Sequence, residues 1–73
     1  MNMTLAEKFA IDTMEKVLLN QYKDMEIEQS PERLNILKAE KDAMIATLSV
    51  VGYMVTCDVD TDLKIEAVHV RKI

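Results

Sequence analysis

The chain has 73 residues, of which 30% are charged, with a formal net charge of −4 and only one glycine, one proline and one cysteine. That length holds one domain, residues 1–73, and a lone cysteine excludes an internal disulfide. Cys57 and His69 are the only thiol and imidazole, so the clustered ligands of a structural zinc site are missing, and the acidic balance argues against a general nucleic-acid binder. Cores of this size supply little net stability and are commonly supplemented by disulfides, a metal or oligomerisation, which leaves oligomerisation or unusually good packing as the expected aid. No stretch approaches the roughly 18 apolar residues of a membrane span, and there is no basic run followed by an apolar segment, so a reducing, cytoplasmic setting is expected.

The first helix is expected over about 4–29. Thr4-Leu5-Ala6-Glu7 fits a capping box, in which the Thr4 hydroxyl takes the Glu7 amide and Glu7 reaches back. Ala10, Ile11, Met14, Val17, Leu18, Tyr22 and Met25 recur at three- and four-residue steps and form one apolar stripe. Leu5 and Phe9 point nearly opposite that stripe. Either the chain's own hairpin or a partner covers them, and a partner is favoured.

Ser30-Pro31 ends the first helix and starts a second, over about 31–51, with serine as N-cap and proline at the first helical position. The short connection implies an antiparallel helical hairpin. Gly52 follows where a helix end requires a left-handed residue. The second helix has two apolar faces. Leu34, Leu37, Met44, Ile45, Leu48 and Val51 form a bulky stripe interrupted by Lys41. Ile36, Ala39, Ala43, Ala46 and Val50 form a stripe of mostly small residues on the other side. A helix apolar on two faces is usually held between two layers, so the small stripe is expected to meet the chain's own sheet or a second subunit, the plainer alternative being a solvated face on which alanine is simply a good helix former.

After Gly52 the period changes to two, which predicts strands over about 53–59 and 63–72 joined by Asp60-Thr61-Asp62. Matching the odd-numbered apolar positions pairs Val59 with Leu63, Cys57 with Ile65 and Val55 with Ala67. Val68 and Val70 break that parity. Either a bulge near Glu66–Ala67 restores the face, or the strand end is covered on both sides. The last strand is expected to leave an open edge. The expected fold class is therefore α+β, in the order ααββ, and dimeric.

Candidate chemistry is sparse. Asp58, Asp60 and Asp62 alternate as in the start of a calcium loop, but Leu63 stands where glycine is needed and His69 where a bidentate glutamate is needed. Cys57 and His69 fall too far apart along the expected hairpin to act as nucleophile and base. No catalytic, metal or cofactor residues are assigned. The expected function is a non-catalytic, self-associating interaction module with a regulatory or adaptor role. Its contact residues would be Leu5, Phe9, Ile36, Ala39, Ala43, Ala46 and Val50. The alternatives are an acidic inhibitor of a nucleic-acid-handling enzyme, drawing on the acidic run Asp24 to Glu28, and a small accessory nucleic-acid binder using the tail from His69 to Lys72.

Overall fold

The computed structural model describes residues 3–73. Two helices, α1 (Leu5–Ile27) and α2 (Pro31–Val50), precede two strands, β1 (Tyr53–Val59) and β2 (Ile65–Lys72). The order is ααββ, a helical hairpin followed by an antiparallel two-stranded sheet. The helices lie on one face of the sheet, α1 over β2 and α2 over β1. The shortest dimension, 17 Å, is that of two layers.

The local signals act as their chemistry dictates. The Thr4 hydroxyl accepts the Glu7 amide at 3.1 Å, and the Ser30 hydroxyl accepts that of Arg33 at 3.4 Å. α1 stops two residues before the expected end, because Glu28 turns extended and its carboxylate takes the Ser30 amide. Gly52 adopts φ 94°, which a residue with a Cβ resists, and donates its amide to Ser49.

The core is small. Among the described residues the buried hydrophobics are Ile11, Leu18, Leu48, Val68 and Val70, and of these only Leu18 is almost wholly sealed. Both the sheet and α1 are served by the bulky stripe of α2: Met44 and Ile45 are half-buried beside Leu48, Leu34 and Leu37 are half-buried farther along the helix, and Val51, expected in the same stripe, is exposed. Lys41, within that stripe, lays its stem in the packing and its ammonium on Asp42, 5.7 Å from the centre of the Tyr22 ring.

The strand register differs from the expected one. Val55 pairs with Val70, Cys57 with Val68, Asp58 with Ala67 and Val59 with Ile65. Glu66 is thus left unpaired, a bulge at one end of the anticipated position, and it turns even-numbered Val68 and Val70 to the side occupied by odd-numbered Val55 and Cys57. The loop is also shifted by one residue. Asp60 and Lys64 close it through an N–H···O bond of 2.9 Å, and Leu63 occupies the left-handed region at φ 63°. Leu63 therefore belongs to the turn, and β2 begins at Ile65. The open edge expected on the last strand is partly closed by α1: Glu15 accepts the Val70 amide at 2.8 Å, Glu26 accepts the Ile65 amide at 3.1 Å, and the Lys23 ammonium donates to the Ile65 carbonyl at 2.6 Å.

Candidate interaction surface

The seven contact residues expected from the sequence all lie exposed. Relative exposures of 84% at Leu5, 74% at Phe9, 58% at Ile36 and 86% at Val50 rule out the hairpin as their cover. Ala39, Ala43 and Ala46 are exposed too. Of the destinations left open for the small stripe, the chain's own sheet is excluded, because the sheet meets the opposite side of α2; within one chain the stripe faces solvent. The helical periodicity puts the small stripe and Phe9 on the side of the helix layer away from the strands.

Between the helices this outer side holds a groove of about 380 Å³, open to solvent, with Thr13, Met14, Val17 and Leu18 on one side and Ala43, Met44, Thr47 and Leu48 on the other. Sequence reasoning missed the two threonines. Their hydroxyls bond back along their own helices, Thr13 to the Phe9 carbonyl at 2.9 Å and Thr47 to the Ala43 carbonyl at 2.8 Å. With the hydroxyls so occupied, the methyl groups are left for the groove. The signal was present as threonine four residues after Phe9 and after Ala43, on helices already recognised. Leu5, Phe9, Thr13 and Val17 form one row of four-residue steps that leads into the groove.

The residues with possible chemistry are occupied elsewhere. Cys57 turns to the helix side of the sheet and His69 to the far side, where its Nε2 lies 2.7 Å from Asp58. Asp60 caps the turn: its Oδ1 accepts the amides of Asp62 and Lys64, which hold its carboxyl below the usual range. Among the described residues no three His, Cys, Asp or Glu side chains converge as metal ligands. The acidic run is partly consumed by the fold, Glu26 on the Ile65 amide and Glu28 on Ser30 and Arg33. In the basic tail, Lys72 approaches Glu7 at 3.4 Å, and this pairing lowers the Glu7 pKa. Tyr22, partly buried beside the Cys57 thiol, has its pKa pushed up to about 12. No helix among the described residues is long and apolar enough to cross a membrane.

No protein-family model, curated protein or solved structure matches this chain.

Proposed function

We propose that this chain is a non-catalytic interaction module that self-associates through the outer face of its helix pair, as a homodimer on that face, in a regulatory or adaptor role. The observation that carries the reading is the apolar groove between the helices, lined by Thr13, Val17, Ala43 and Thr47 among others, with Phe9, Ile36, Ala39, Ala46 and Val50 exposed on the same side of the helix pair, none of them covered by the sheet. Exposed apolar faces of this kind mark contact sites. The face is suited to a copy of itself. Phe9, Ile36 and Val50 are its ridges, while the alanines and the groove are its hollows, and an isologous contact sets the ridges of one copy against the hollows of the other. The small core gives a physical reason for association, since few residues are sealed within one chain. A free thiol at Cys57 suits a reducing compartment such as the cytoplasm.

Two substitutions test it. Ala43→Glu places a carboxylate in the floor of the contact, and Phe9→Ser removes its largest ridge. Neither side chain is buried in the monomer. Both variants are therefore expected to keep the parent's circular dichroism and to lose association in sedimentation. A variant that sediments as the parent does would remove the helix face from the contact.

A further inference from the structure

A lysine and an aspartate stand on opposite flanks of the helix pair. Gln21 donates to the Leu37 carbonyl at 2.9 Å, and Thr13 and Val17 face Thr47 and Ala43 across the groove, which fixes how the antiparallel helices lie against each other. By the helical periodicity, Lys16 falls on the flank of α1 that turns away from α2, and Asp42 on the flank of α2 that turns away from α1. The two lie within about one turn of the same level along the pair. Both are exposed. Among the described residues Lys16 enters no ion pair, and Asp42 uses only Oδ1, on Lys41 at 2.6 Å.

The helices also differ in relief. On its outer side α1 presents Phe9, Thr13 and Val17, whereas α2 presents Ala39, Ala43 and Ala46. The spacing of packed helices depends on the side chains at the contact, and alanines let a second helix come near. A two-fold that set α1 on the partner's α1 would bring bulk against bulk and leave the alanines uncovered. A two-fold that sets α1 on the partner's α2 brings bulk against the small stripe.

We propose that two copies associate about a two-fold axis running along the groove, nearly parallel to the helices, so that α1 of each packs on the alanine stripe of the partner's α2 and Lys16 pairs with the partner's Asp42. The proposal rests on the self-association argued above and adds its geometry and the charge pair that fixes its register. Such an axis exchanges the two flanks and keeps each residue at its level. Phe9 then lies beside the partner's Val50 and Ala46, Thr13 beside its Thr47, and the Lys16–Asp42 pair occurs twice. Asp12, on the same flank as Lys16, comes to the partner's Ser49, and Lys23 stays on Glu26 and the Ile65 carbonyl. Asp24, Glu32 and Glu40 fall toward the other end of the helix pair, where helices packed at the usual crossing angles have diverged. The four helices form two inner layers at ordinary spacing, and each sheet lies outside, clear of the other copy.

The test is sedimentation of the whole chain, of Lys16→Glu, of Asp42→Lys and of these two variants mixed, with circular dichroism to show that each is folded. Each variant alone sets like charges against each other twice and should dimerise about tenfold more weakly than the parent. In the mixture both contacts again join opposite charges, and the mass should recover toward the parent's. Ala43→Leu tests the same geometry without a charge change, should Asp42→Lys lose its fold with its Lys41 contact. It adds bulk where the partner's α1 sits closest, so it should weaken association even though it makes the face more apolar. If the parent associates while the mixture stays as light as the variants, or if Ala43→Leu associates more tightly, the pairing is overturned, and the face is left to a copy set otherwise or to a helix of another protein. A parent that never exceeds the mass of one chain would instead overturn the self-association on which the pairing rests.

Discussion

Leu63 shows the cost of a turn made without glycine. Its backbone is left-handed at φ 63° and its side chain is 82% exposed, so it contributes strain and little packing. Leu63→Gly should stabilise the fold by about 0.5–1 kcal/mol, the relief of the left-handed penalty less the added freedom of the unfolded chain. Urea denaturation measures this, and a lower midpoint would mean that Leu63 packs on something. Tyr22 makes a second residue-scale prediction. Its pKa is raised from 10.0 to about 12, so the protonated phenol is favoured by folding. That contribution is complete below pH 10 and lost as pH rises toward 12. Tyr22→Phe should therefore show a flatter loss of stability across that interval, measured by thermal melts at successive pH values.

At the scale of elements, local chemistry made the helices and the fold order legible. Thr4 with Glu7, Ser30 with Pro31, and Gly52 each act within a few residues of themselves, and short-range patterns suffice to find them. The strand register was less legible. The switch from odd to even apolar positions between Ile65 and Val68 signalled a bulge, but Asp60-Thr61-Asp62-Leu63 carries no mark that its fourth residue turns left-handed. The guarded edge was also hidden, because Glu15 and Val70 are 55 positions apart and meet only once α1 crosses β2. The contact residues were legible as residues left over from each helix's main stripe, whereas the groove between them depends on how the helices pack. Glu15→Ala should leave the Val70 amide without its acceptor and destabilise the fold by about 1–2 kcal/mol. It should also speed exchange at that amide. Unchanged exchange at Val70 would show that the carboxylate does not guard the edge.

For the whole molecule, a thin two-layer domain with a small core leaves apolar side chains on the outer side of its helix pair, because two helices and two strands cannot wrap all the apolar surface that this sequence carries. The central claim is that the chain works by contact through the helix face. Its most direct test is sedimentation equilibrium of the native chain beside Ala43→Glu, across micromolar concentrations. The account predicts a native mass that rises with concentration above the 8.3 kDa of one chain, and a lower mass for the variant at the same secondary-structure content. A native chain that stays at 8.3 kDa throughout, or a variant that matches it at every concentration, would contradict the account.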